Sequence, residues 1–176
     1  MNEQHFYDTK TIYYHWISAG LVFLLWIIGQ NIDSFEKGDP RVIVRSVHIV
    51  LGLLLAVIFT LRVIWKLKAG AKLPTAQSGV FGKASTATHH LLYVLIGATL
   101  IVGIAAVWIR GDNIFNLLKV PAFNTNDLDL EDDVVELHEL LANSLLILAC
   151  AHTFIAIWHQ KFIKDNLLKR MWPRLK

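Results

Sequence analysis

The sequence has one cysteine, Cys150, so no intrachain disulfide can brace the fold. Charge is scarce as well: Asp, Glu, Lys and Arg make up 18% of residues, and the formal charge is +3. There is no long basic run and no zinc-ligand spacing, which argues against nucleic-acid binding and a zinc site. Met1 to Lys10 is polar and nearly charge-balanced, and no small-residue cleavage site ends the apolar run that follows. That run reads as a retained helix, not a cleaved signal peptide. Apolar residues are plentiful. They make up 55% of the chain, against about 45–50% in soluble domains, and mean hydropathy is +0.47. Six tryptophans in so short a chain fit a membrane interface.

Four apolar runs are each long enough to span a bilayer, which takes about 20 residues. They cover roughly Tyr13–Ile32, Val47–Leu67, His90–Ile109 and Leu137–Phe162. The stretches between them read as loops. Asp33 to Val44 carries the turn signal Gly38-Asp39-Pro40. Ala69 to Thr86 carries Gly70, Pro74, Gly79 and Gly82. Gly111 to Glu136 is the longest, with Pro121 and the acidic cluster Glu131-Asp132-Asp133. The expectation is one all-α domain over residues 1–176, an integral membrane four-helix bundle.

Basic residues set the orientation. If the N-terminus is cytoplasmic, that side receives Lys10, Arg62, Lys66, Lys68, Lys72, Lys83, Lys161, Lys164, Lys169, Arg170, Arg174 and Lys176. The opposite side receives Lys37, Arg41, Arg45, Arg110 and Lys119. Twelve against five places both termini in the cytoplasm. The acidic loop then faces the periplasm of a bacterial inner membrane. Trp16, Trp65 and Trp158 fall near inner helix ends and Trp108 near an outer one, while Trp26 lies deeper as a packing residue.

Histidines are the informative feature. An ionisable residue in a span is costly and faces the bundle interior. His15 lies in the first span, His48 in the second, His89 and His90 at the start of the third, and His138, His152 and His159 on the fourth. His5 is in the polar N-terminus. His138 and His152 are 14 residues apart, which puts both on one helix face, about 21 Å apart along the axis. Two haems, one near each membrane surface, need such an arrangement. His48 and His138 share the outer depth and are the histidines on that side. His15, His89, His90, His152 and His159 compete for the inner pair, where His15 with His152 is preferred. The chain has no Cys-x-x-Cys-His run, so thioether-attached haem is excluded and the haems would be b-type. Two nitrogen ligands leave the iron no open site, which suits electron transfer. The competing reading makes these histidines hydrogen-bonding groups or a proton path in a haem-free transporter. Gly52, one turn after His48, is placed to let a porphyrin approach the backbone. Gly29, Gly97 and Gly103 can do likewise, with helix packing the preferred reading of each.

Several stretches resemble the bacterial cytochrome b561 family of small four-helix di-haem proteins, over nearly the whole chain. They are Tyr14-His15-Trp16, the His48-to-Gly52 segment, Leu137 to Asn143 with His152 and His159, and Lys164 to Met171. The resemblance implies His48 and His138 as axial ligands of one haem b, and His15 and His152 of the other. The family's fourth-helix His-His pair is here Trp158-His159, and His89, His90 and His159 have no assigned role. The resemblance further implies electron exchange with a membrane quinone such as ubiquinone, with superoxide oxidation as one activity. An alternative is a haem-bearing anchor that links a partner dehydrogenase to quinone. Arg45, three residues before His48, is a candidate contact for a haem propionate or an anion. Lys37, Arg41, Arg110 and Lys119 are further candidates to attract an anion, opposed by the nearby carboxylates. Lys161, Lys164 and Arg170 are candidates to contact quinone or a propionate, with lipid headgroups the preferred reading.

Overall fold

The computed structural model describes residues 6–70, 79–123 and 128–172. His5, Lys72, Pro74, Asp127, Arg174 and Lys176 lie outside the described residues. Four long helices dominate: α1 (Thr9–Asn31), α2 (Asp39–Lys68), α3 (Gly79–Arg110) and α4 (Leu128–Trp158). Each is long and apolar enough to cross a membrane.

The helices outrun the apolar segments. At about 1.5 Å per residue, α2, α3 and α4 are about 45–48 Å long, against a hydrocarbon core of about 30 Å. Hydrophobicity stops at the membrane boundary, while backbone hydrogen bonding continues past it. Much of the three expected loops is therefore helix. Gly38-Asp39-Pro40 is a helix start and not a free turn: Gly38 takes φ +109°, and Pro40 sits in the first turn of α2, where it costs no hydrogen bond. α1 begins at Asp8, whose carboxylate accepts from the Thr11 amide at 2.9 Å and from the Trp65 indole at 3.0 Å.

α1 packs along α2, and α3 along α4; contact between the two helix pairs is lighter. One tie between the pairs is the Trp26 indole, which donates to the Asn143 side-chain oxygen at 2.8 Å, so this deep tryptophan anchors a polar group besides packing.

Each end of the bundle has its own closure. Gly111, at φ +67°, ends α3, and its neighbour Ala122 leaves no room for a Cβ. The chain then makes a two-residue antiparallel β-hairpin, β1 (Asn113–Ile114) with β2 (Leu118–Lys119), turning through left-handed Phe115 and Asn116. Fully buried Ser46 pins it to α2, accepting from the Phe115 amide at 2.8 Å and donating to the Val42 carbonyl at 2.6 Å. At the opposite end α4 widens into a π-turn, His159–Ile163, closed by left-handed Lys164. The His159 ring meets Asp165 at 2.6 Å. The chain then returns to α1, where the Tyr7 amide donates to Arg170 and the Trp16 indole to the Met171 carbonyl. Residues 7 and 170 therefore share one end of the bundle, called here the terminus side, opposite the β-hairpin side.

Candidate functional site: two histidine levels between the helix pairs

Histidines gather at two levels where the helix pairs meet; His15, His48, His138 and His152 are half-buried and His89 is exposed. On the β-hairpin side, His48 of α2 meets His138 of α4 with ring centroids 6.2 Å apart and planes at 85°. Both rings rest on glycines of the other two helices. A Cβ on Gly29 of α1 would lie 3.2 Å from His48 Cε1. One on Gly103 of α3 would lie 2.8 Å from His138 Cε1. All four helices thus build this level. Gly29 and Gly103 are seats for imidazoles, beyond the helix packing expected of them. Gly97 does meet an ordinary packing neighbour, Phe59, at 3.6 Å. A Cβ on Gly52 would touch nothing within 4 Å, so space is open one turn along α2 from His48.

The terminus-side level also draws on all four helices. His89 of α3 and His152 of α4 have ring centroids 5.0 Å apart at 79°. His15 of α1 is within electrostatic reach of both, and its Nδ1 lies 3.2 Å from Arg62 Nη2 of α2. His15 follows the start of α1, and His152 precedes the end of α4, by the same axial distance of about 9 Å. His90 Nδ1 donates to the Thr86 carbonyl, 2.8 Å away, on an exposed face.

Hydrogen bonding says which nitrogens are available. His138 Nδ1 lies 3.0 Å from the Thr99 carbonyl. A carbonyl only accepts, so Nδ1 carries the proton and Nε2 keeps a free lone pair, the arrangement of a metal-ligating histidine. His48 Nδ1 is buried and makes no hydrogen bond of good geometry, while the Leu25 backbone of α1 lies within reach of the ring. Among the described residues no group of three or more His, Cys, Asp or Glu is placed to hold a bare metal ion. A pair of imidazoles needs a metal whose remaining ligands come from elsewhere, as a porphyrin provides. Metal–imidazole bonds run about 2.0–2.1 Å, so two axial nitrogens stand about 4 Å apart and their ring centroids about 6 Å. The 6.2 Å of His48 and His138 fits that span; the 5.0 Å of His89 and His152 is shorter.

The basic residues of the β-hairpin side are largely engaged. Arg41 pairs with Asp33 at 3.2 Å. Arg45 pairs with buried Asp112 at 3.4 Å, and Arg110 contacts Asp112 at 3.7 Å and Glu131 at 2.9 Å. Burial raises the Asp112 carboxyl above the usual aspartate range, against the pull of Arg110 and Arg45. Lys37 and Lys119 are exposed and make no ion pair among the described residues.

Comparison with known proteins decides the class. The family model described as prokaryotic cytochrome b561 matches residues 7–174. The chain belongs to the prokaryotic cytochrome b561 family. Among its relatives, "Probable superoxide oxidase CybB" of Yersinia pestis is 28% identical over 96% of both chains. "Cytochrome b561 homolog 1" of Escherichia coli K12 is 29% identical over 97% of this chain and 98% of its own. "Cytochrome b562" of Cereibacter sphaeroides is 25% identical, again over 97% and 98%. This cytochrome b561 family member is a multi-pass bacterial membrane protein with an electron-transfer role, and its family implies haem b.

Two contributions escaped the sequence reading. Arg62, counted there as an orientation charge, reaches into the terminus-side level. An ionisable residue inside a span was itself the signal. The glycine seats carried no such signal, because nothing in the sequence says which glycine a neighbouring helix's ring will meet.

Proposed function

We propose that this protein binds two b haems, one per level, and carries electrons from a one-electron donor to a membrane quinone. The observation that carries the reading is the pair of histidine levels between the helix pairs, drawn from all four helices. His48 and His138 would hold the β-hairpin-side haem, and His15 and His152 the terminus-side one. Bound haem supplies a one-electron carrier whose filled axial positions exclude other iron ligands. The residues do the rest. Thr99 fixes the His138 tautomer, and Gly29 and Gly103 fix where the rings stand.

The excess of basic residues at the terminus side supports a cytoplasmic location for that side, in a chain of the inner membrane. Superoxide is the proposed donor at the periplasmic face, by likeness to the Yersinia relative named as a probable superoxide oxidase. Two superoxide anions each give up one electron and leave as dioxygen. One ubiquinone takes both electrons with two protons and leaves as quinol. Since Arg41, Arg45 and Arg110 are paired with acids, Lys37 and Lys119 are the cations an arriving anion meets.

Haem stoichiometry and optical spectra of four variants test the assignment. His48→Ala and His138→Ala should each remove the same haem, and His15→Ala and His152→Ala the other. Retention of two haems per chain in the first two variants would sink the β-hairpin-side assignment. For the reaction, superoxide should reduce the purified protein and quinone reoxidise it. No reaction without a partner subunit would favour an anchor for a dehydrogenase instead, and a purified chain with no haem signal would favour a haem-free protein.

A further inference from the structure

Arg62 carries a permanent charge in an apolar span, and no carboxylate pairs with it among the described residues. Its guanidinium carbon lies 4.9 Å from the centroid of the Tyr93 ring. Lys66, one turn further along α2, puts its ammonium 4.2 Å from the same centroid. Two like charges one helical turn apart repel. Here they converge on one α3 ring, and Lys66 also forms no ion pair among the described residues. Such a pair of cations is complementary to an anion.

Arg62 also sets the state of His15. A guanidinium has donors only, so at 3.2 Å it donates to His15 Nδ1, and a neutral ring then carries its proton on Nε2. That is the reverse of an axial ligand, which gives the Nε2 lone pair to the metal and points Nδ1–H at an acceptor. His138 already has the ligand arrangement, through Thr99. So does His89, whose Nδ1 lies 2.7 Å from the Ser85 carbonyl. Ligation through Nε2 therefore requires Arg62 to leave His15, and it will leave for a better acceptor. A carboxylate is one, since it takes a guanidinium through two charge-assisted bonds.

We propose that Arg62 and Lys66, seated on Tyr93, are the carboxylate clamp of the terminus-side haem, and that a propionate draws Arg62 off His15 and so frees His15 to ligate. This rests on the proposed haem at that level. A phospholipid phosphate has similar chemistry, and Lys66 is exposed enough to meet one, but Arg62 is turned inward between His15 of α1 and Tyr93 of α3. The β-hairpin-side level has no equivalent, because its arginine, Arg45, already has Asp112.

The test uses the full-length purified protein, in which the β-hairpin-side haem reports on folding. Arg62→Gln should weaken terminus-side haem retention about tenfold, leave the other haem in place, and lower the potential of any terminus-side haem that remains, because a nearby positive charge is gone. Arg62→Lys should fall between. Haem-stripped wild-type protein is then refilled with haem or with its dimethyl ester, which has no carboxylates. The ester should bind the terminus side about tenfold more weakly in the wild type, and that preference for haem should shrink in Arg62→Gln, where Lys66 alone is left to meet a carboxylate. The wild-type comparison stands even if the variant fails to fold. Equal binding of haem and ester by the wild type would overturn the clamp, and so would an Arg62→Gln protein with both haems and unchanged potentials. Haem loss that instead follows the anionic phospholipid content of a nanodisc would assign the cations to a headgroup and also overturn it. A wild-type chain with no haem would overturn the proposed function and this inference together. Two haems indifferent to Arg62 would overturn the inference alone.

Discussion

At the scale of single residues, room matters as much as ligand chemistry. The His138 ring is held at Nδ1 by Thr99 and at its edge by Gly103. A methyl at Gly103 would come 2.8 Å from the ring and force it to shift. Gly103→Ala should therefore cost about 1–3 kcal/mol of overpacking and selectively weaken the β-hairpin-side haem. Gly97→Ala is the control: its new methyl would sit 3.6 Å from Phe59, an ordinary contact, and haem content should hold. Pyridine haemochrome assays on both variants check this, and equal haem loss in the two would refute the idea of a seat. Residues with unusual chemistry for a membrane span, the histidines, were legible in the sequence. Their partners were less so, because a glycine or an arginine gains its role only when another helix is laid beside it. The sequence offers Arg45 as a contact for a propionate or an anion; in the fold it pairs with Asp112, just past the end of α3 and 67 residues away.

At the scale of elements, four apolar runs did become four helices, but their ends did not coincide with the runs. Apolarity marks where lipid stops, whereas helix ends are marked by features such as Asp8, Gly38 and Gly111. The β-hairpin after Gly111 was read as part of a long loop because its strands are two residues each, too short to show alternation. It hangs on Ser46 and Asp112. Ser46→Ala would leave the Phe115 amide without its partner, at a cost of about 1–3 kcal/mol, and should speed hydrogen exchange across Asn113–Lys119. Asp112 adds a pH dependence. Its pKa is raised on folding, so the folded state binds the proton more tightly than the unfolded one. Its contribution is complete below the unfolded aspartate value and declines as pH rises through the raised folded value. The wild type should lose thermal stability over that window, and Asp112→Asn, which does not titrate, should lose less. Melting curves in detergent at a series of pH values rising from the unfolded aspartate value check it; identical slopes would refute the sign.

At the scale of the whole molecule, the two helix pairs differ in how they hold together. α1 with α2, and α3 with α4, are joined by long side-to-side packing, while the junction between the pairs carries the histidines and fewer contacts. In lipid, apolar surface gives the pairs little reason to close, because lipid tails are as apolar as leucine. A ligand held from both sides supplies that reason, and it stabilises only the closed bundle. At 100-fold excess over its dissociation constant, such a ligand adds about 2.7 kcal/mol. Haem at each level would thus act as a clasp between two otherwise self-sufficient units. Replacing both α4 ligands, His138→Ala with His152→Ala, should release both clasps from one helix without touching α1 or α2. The expected product is a helical but loosened protein. Its α1–α2 and α3–α4 cross-links form as before, while cross-links between α1 and α4, near Trp26 and Asn143, become less frequent. If α1–α4 cross-linking and thermal stability match the di-haem protein, the bundle closes by protein contacts alone, and the histidine levels serve electron transfer without holding the fold.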